Sequence, residues 1–176
     1  LQLFRYFGTF TANRSSIVDV QTHAQKQTPP ASVSTEPEEQ SVKVENSVSP
    51  KPEQIKEFAA VEGAVMMVNL LKYRDKAVYE DGRETDLSGR DAYALYAKEM
   101  VKLVEASGGR FVFGSEVTSL LLGEVEELWD QVGIVEYPSS KDLLAIASSP
   151  EFQAIEVHRV AGLAGQLNIT TREGGL

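Results

Sequence analysis

The run Ala64-Val65-Met66-Met67-Val68-Asn69-Leu70-Leu71 is apolar at every position except Asn69. It has the length of a strand and falls well short of the roughly 18 apolar residues that a membrane-spanning helix needs. A strand whose side chains are apolar on both faces has to be covered on both, so this segment predicts a central strand with material above and below its sheet. Everything downstream is constrained by that requirement.

The following residues supply the remaining elements. Asp81-Gly82, between Ala77-Val78-Tyr79 and Arg83-Glu84-Thr85, predicts a tight hairpin excursion, because glycine adopts the positive φ that such turns demand. Ser88 with Asp91 three residues on predicts a helix start, and Ala92, Tyr96, Met100, Leu103 and Val104 recur at helical spacing up to the stop at Gly108-Gly109. Phe111, Phe113 and Val117 alternate as a half-buried strand, extended past Gly114 by Thr118 to Leu122 after a bend or bulge. An acidic connection, Gly123 to Asp130, precedes a strand over Val132 to Tyr137 that Pro138 stops. Ser139 or Ser140 caps a helix over Lys141 to Ser148, and Ser149-Pro150 starts another that runs to about Ala161. Gln166 to Thr171 is a last strand.

The order strand, helix, strand, strand, helix, strand is the split βαβ arrangement of an α+β, ferredoxin-like fold with a four-stranded antiparallel sheet. Its helices cover one face only. The doubly apolar first strand therefore predicts a homodimer, in which a second copy covers the other face and closes a dimeric α/β barrel. About ten side chains at roughly 1.5 to 3 kcal/mol each, before association costs, make that pairing a dominant source of stability.

Upstream of Gly63 the composition changes. Residues 21–60 carry Thr28-Pro29-Pro30, Glu36-Pro37-Glu38-Glu39 and Ser47-Val48-Ser49-Pro50, which cannot bury enough apolar surface to offset ordering, so a disordered linker is expected there. A coil of about 35 residues spans on the order of 35 Å. Gln54 to Ala60 is expected to form a short lead-in helix. Residues 1–20 open with Leu1-Gln2-Leu3-Phe4-Arg5-Tyr6-Phe7, an aromatic-rich stretch that fits either the exit end of a membrane anchor lying further upstream or an arm that docks on the domain. The chain thus divides into residues 1–20, 21–60 and a folded domain over 61–176, cytoplasmic or, in the first alternative, membrane-anchored.

Charge and composition exclude several functions. A formal net charge of -9 removes the electrostatic driving force for nucleic acid. The absence of cysteine rules out disulfides, thiolate metal sites and a cysteine nucleophile. The acidic connection lacks the glycine turn and oxygen spacing of a calcium loop, and no phosphate-binding glycine loop or serine elbow occurs. No metal and no cofactor are expected.

Val68-Asn69-Leu70-Leu71-Lys72-Tyr73, Gly89-Arg90-Asp91-Ala92-Tyr93-Ala94-Leu95-Tyr96, Gly108-Gly109-Arg110, Leu122-Gly123 with Trp129-Asp130, Tyr137-Pro138-Ser139-Ser140, and Ser149-Pro150-Glu151-Phe152-Gln153 with His158-Arg159 occur in this order. Together they resemble domain of unknown function family 1330, over nearly all of Gly63 to Arg172. The resemblance implies a dimeric α/β barrel, a superfamily that includes cofactor-free monooxygenases, lactone isomerases, haem enzymes and ligand-sensing modules. It supplies no catalytic residues.

A pocket in such a fold lies between the sheet and its own helices. Asn69, Tyr96, Arg110, Trp129, Tyr137 and Arg159 are the polar or aromatic groups that could line it, and His158 is the candidate proton-transfer residue. Most have a structural alternative: Tyr96 and Tyr137 as core residues, Trp129 as a lid over the barrel end, Arg159 as half of an ion pair, His158 as a surface or satisfied core histidine. The expected function is a homodimer that binds a small, largely apolar molecule, as a cofactor-free oxygenase or isomerase, or else as a noncatalytic dimerisation or ligand-sensing module.

Overall fold

The computed structural model describes residues 44–172 and 174. The aromatic opening stretch, His23 and the expected linker up to residue 43 lie outside the described residues.

Three of the four described helices begin where a serine supplies an acceptor for an otherwise unpaired N–H. Ser88 accepts from the Asp91 N–H at 3.1 Å and starts α2 (Gly89–Ala106). Ser139 accepts from Asp142 at 3.3 Å and starts α3 (Ser140–Ala147). Ser149 accepts from Phe152 at 3.1 Å, with Pro150 in the first position of α4 (Pro150–Gly162). The short lead-in helix α1 (Pro52–Ala59) starts with Pro52, and Gln54 Oε1 accepts from the Lys51 N–H at 2.8 Å. Gly108, at φ +82°, ends α2.

The strands β1 (Val65–Tyr73), β2 (Arg110–Glu116), β3 (Gln131–Tyr137) and β4 (Leu163–Thr171) form one sheet in the order β2-β3-β1-β4, with every neighbouring pair antiparallel. The fold is ferredoxin-like, and β1 is the central strand that its apolar run demands. Val65↔Tyr137 and Met67↔Val135 set the register of β1 against β3. These four side chains face the helices, where they join Tyr96, Met100, Val104 and Phe152 in the main core. Where α2 meets α4 the backbones touch: a Cβ on Gly162 would lie 2.4 Å from the Gly89 carbonyl oxygen. Only glycine allows that approach.

On the other face β1 presents Met66, Val68 and Leu70, and β3 presents Val132 and Ile134 opposite Leu70 and Val68. Leu167 and Ile169 of β4 lie beside Leu70 and Val68. These residues are half-buried to exposed in the single chain, with Ile169 at 46%.

Three local expectations differ from the structure. The turn at Asp81-Gly82 forms, with the Gly82 N–H on the Tyr79 carbonyl at 3.1 Å and Gly82 at φ +76°, but its flanks are not strands. Ala77 bonds Leu87 instead and Val78 bonds the Ala161 carbonyl, so the segment lies across the end of α4 with Ala77 and Tyr79 buried. Thr118 to Leu122 does not continue β2, because β3 begins at Gln131, the partner of Glu116, and a strand without a partner has no ladder to join. Leu121 and Leu122 are instead exposed. The irregularity in β2 sits between Phe111 and Phe113 rather than at Gly114, so Phe111 faces Val135 and Phe113 faces Ile134. The two rings therefore lie on opposite sides of the sheet.

Within the segment expected as linker, residues 44–51 contact the domain. Ser47 makes an antiparallel bridge to Gln166, and Trp129 Nε1 donates to Asn46 Oδ1 at 2.8 Å.

Candidate functional site

Asn69 interrupts the apolar run of β1 on the helix-facing side, opposite Gly133, whose missing side chain leaves room for an amide. Asn69 Nδ2 donates to the Met67 and Gly133 carbonyls at 3.0 and 3.3 Å. Its Oδ1 accepts from Gln166 Nε2 at 3.1 Å. Gln166 also donates to Asn168, and its own Oε1 accepts from Arg159 Nη1 at 3.1 Å. Arg159 Nη2 reaches Glu156 at 2.8 Å and the Val48 carbonyl at 2.8 Å, with the side chain 11% exposed. A continuous polar chain thus runs from the middle of β1 through β4 to α4.

Beside it lies a layer of tyrosines. Tyr93 and Tyr96 sit three residues apart on one face of α2, with ring centroids 5.4 Å apart. Tyr73 stacks on Tyr93 at 5.5 Å, and Phe152 meets Tyr96 edge-on at 6.1 Å. Burial pushes the Tyr73 and Tyr96 phenols up to about 12, and for Tyr96 the Arg159 guanidinium opposes the rise. Burial likewise raises Tyr93 and Tyr137. All four are neutral hydroxyls at physiological pH, able to donate a proton in a hydrogen bond and unsuited to act as bases.

Their hydrogen bonding is uneven. Tyr73 donates to Gln131 Oε1 at 2.6 Å. The hydroxyls of Tyr93, Tyr96 and Tyr137 make no hydrogen bond among the described residues, although Tyr96 and Tyr137 are only 8% and 4% exposed. Buried hydroxyls normally find an acceptor, so three that lack one within the described part of the core call for an explanation.

Of the residues singled out from the sequence, the structure brings Asn69, Tyr96, Tyr137 and Arg159 to the sheet–helix layer. Arg110 lies elsewhere. It stands opposite Glu136, and because Tyr137 and Val135 face the helices, both partners of this ion pair project from the other face. Trp129, half-buried, belongs to the connection before β3 and is tied to Asn46. His158 turns away from the layer, with its Nδ1 2.7 Å from the Tyr79 hydroxyl. Burial, aided by Arg83, holds its pKa below the ordinary value and keeps the ring neutral. Nearby, a groove of about 410 Å3 runs between α4 and the Tyr79–Arg83 turn, lined by Glu80, Asp81, Gln153 and Glu156 among others.

Sequence reasoning missed Gln166, the hub of the polar chain, and Tyr93. The three-residue spacing of Tyr93 and Tyr96 was a readable signal. Gln166 carried none, because its role depends on a register that pairs it with Leu71, beside Asn69. Glu127 and Asp130 of the acidic connection are both engaged by Lys72, at 2.7 and 3.4 Å, and among the described residues no acidic or histidine cluster could hold a metal. No helix among them is long and apolar enough to cross a membrane.

No curated protein matches the chain. Among solved structures, the methylated RPA0582 protein is 32% identical, with 74% of this chain and 96% of that one covered at a TM-score of 0.68. The RPA0582 protein of unknown function from Rhodopseudomonas palustris is 28% identical, with 75% and 100% covered at a TM-score of 0.68. The model of the domain of unknown function DUF1330 matches residues 82–171. With half the sequence matched by that model and a relative of the same fold at 32% identity, the chain belongs to the DUF1330 family.

Proposed function

We propose that this domain is a homodimer, closed into an α/β barrel through its open sheet face, that binds a small, largely apolar molecule in the tyrosine layer between sheet and helices. The observation that carries the ligand reading is the trio of hydroxyls at Tyr93, Tyr96 and Tyr137 that make no hydrogen bond among the described residues. An apolar body that parts these rings would lie against their faces, and an acceptor atom on it would take the hydroxyl donors.

The chemistry of the layer favours binding over turnover. Its phenols are neutral, Arg159 is engaged on several sides, and the single histidine of the described residues points to the outer surface of α4. A cofactor-free oxygenase or isomerase requires a base within reach of its substrate, and His158 is the residue that would have to turn inward to serve. A ligand-sensing dimer needs only the donors.

Native mass spectrometry of the purified chain tests both halves. The expected result is a dimer carrying a small bound mass. Tyr96→Phe is expected to remain dimeric and lose that mass, since it removes one donor and no ring. A monomer at micromolar concentration, or a Tyr96→Phe protein that retains the bound mass unchanged, overturns the corresponding half.

A further inference from the structure

Residues 44–50 lie against the β4 end of the polar chain through four contacts of different kinds. Asn46 Oδ1 accepts from the Trp129 indole at 2.8 Å. The Ser47 N–H donates to the Gln166 carbonyl at 3.1 Å. The Val48 carbonyl accepts from Arg159 Nη2 at 2.8 Å. Asn46 packs directly on Gly165, where a Cβ would stand 2.6 Å from Asn46 Cβ. None of residues 44–50 is itself buried. Polar contacts on an exposed segment, with no buried side chain behind them, describe a local unit that opens at small cost.

We infer that residues 44–50 form a displaceable strap, and that the ligand which displaces it is a neutral carbonyl compound whose oxygen takes Arg159 in place of the Val48 carbonyl. The inference rests on the ligand-binding reading of the tyrosine layer. Three observations fix the ligand chemistry. The group now held on Arg159 is itself a neutral carbonyl. The guanidinium charge is already matched by Glu156 at 2.8 Å, so an incoming carboxylate would sit against a carboxylate. The phenols of Tyr93 and Tyr96, which feel the Arg159 charge and make no hydrogen bond among the described residues, are neutral donors, and a carbonyl oxygen accepts from several donors at once. An aromatic ketone or quinone combines that oxygen with a flat body of the kind that packs on tyrosine rings.

The strap carries its own reporter, because Trp129 is the single tryptophan of the chain. In the 15N-labelled full chain its indole N–H gives one resonance, and hydrogen exchange at the Ser47 amide gives a second readout. Acetophenone is the probe, with benzoate as a charged and ethylbenzene as an acceptor-free comparison. Acetophenone is expected to shift the Trp129 resonance and to speed Ser47 exchange, while ethylbenzene and benzoate do neither. Gly165→Ala, which pushes Asn46 away, and Asn46→Ala, which removes the Trp129 acceptor without touching the sheet, are expected to show the shifted resonance before any probe is added. Both are expected to bind acetophenone at least about threefold more tightly, as a pre-opened population requires. Binding of acetophenone with both readouts and both variants unchanged overturns the strap and leaves the ligand reading standing. Equal binding of benzoate or ethylbenzene overturns the carbonyl assignment. Failure of all three probes on the chain and on both variants overturns the inference together with the tyrosine-layer site.

Discussion

His158 and Tyr96 are polar residues on helices, read from the sequence with the same two alternatives, and tertiary position separates them. Tyr96 falls on the buried face of α2 and His158 on the outer flank of α4 beside Tyr79. Since burial lowers the His158 pKa, the unfolded chain takes up the proton first as pH falls. The histidine therefore favours the folded state above its ordinary value near 6.5, and this contribution is lost as pH drops through 6.5 towards the lower folded value. Thermal melts at pH 7.5 and 5.5 are expected to show a drop that His158→Gln reduces, because glutamine does not titrate. An equal drop in the variant would assign the acid sensitivity elsewhere. What was legible here was the residue type. The partner, Tyr79, was not, because it reaches His158 through a turn whose flanks read as strands.

Helix starts were legible because a serine cap is a local device, completed within three residues. The flanks of Asp81-Gly82 were misread because they do not pair with each other: Ala77 bonds Leu87, and Val78 bonds Ala161, which lies far outside any local window. The contact between α2 and α4 belongs to the same class. Gly89 and Gly162 have no unusual neighbours in sequence, yet each occupies space that a methyl group would contest. Gly162→Ala is expected to separate the helices and cost about 1 to 3 kcal/mol, the usual range for overpacking, measured as a lower midpoint in urea. A midpoint unchanged within error would mean that the helices shift freely. Such a shift would also loosen Tyr93, whose backbone nitrogen a Gly162 Cβ would approach to 2.9 Å.

The ferredoxin-like order was readable because it depends only on the sequence of strands and helices, and the doubly apolar β1 foretold the open apolar face. The proposed pairing through that face would make a specific demand of Ile134, which sits between Val68 and Phe113. Ile134→Lys is expected to give a monomer by size-exclusion chromatography with light scattering, since a lysine buried in an apolar interface leaves a charge without a partner. A dimer of unchanged mass would place the interface elsewhere. The tyrosine layer was only half legible, because β4 supplies Gln166 to it through register, which no single segment encodes.

β2 holds one residue more than its partner strand requires, and the irregularity around Val112 absorbs it. In an ordinary strand, removing a residue acts as a frameshift in space, exchanging inside for outside along everything that follows. Around Val112 the frame has already been slipped and restored, so a chain lacking that residue is expected to keep Phe111 and Phe113 on their present sides. There a deletion is close to a synonymous change, and the length of the strand is free to vary while the identity of each face is inherited intact.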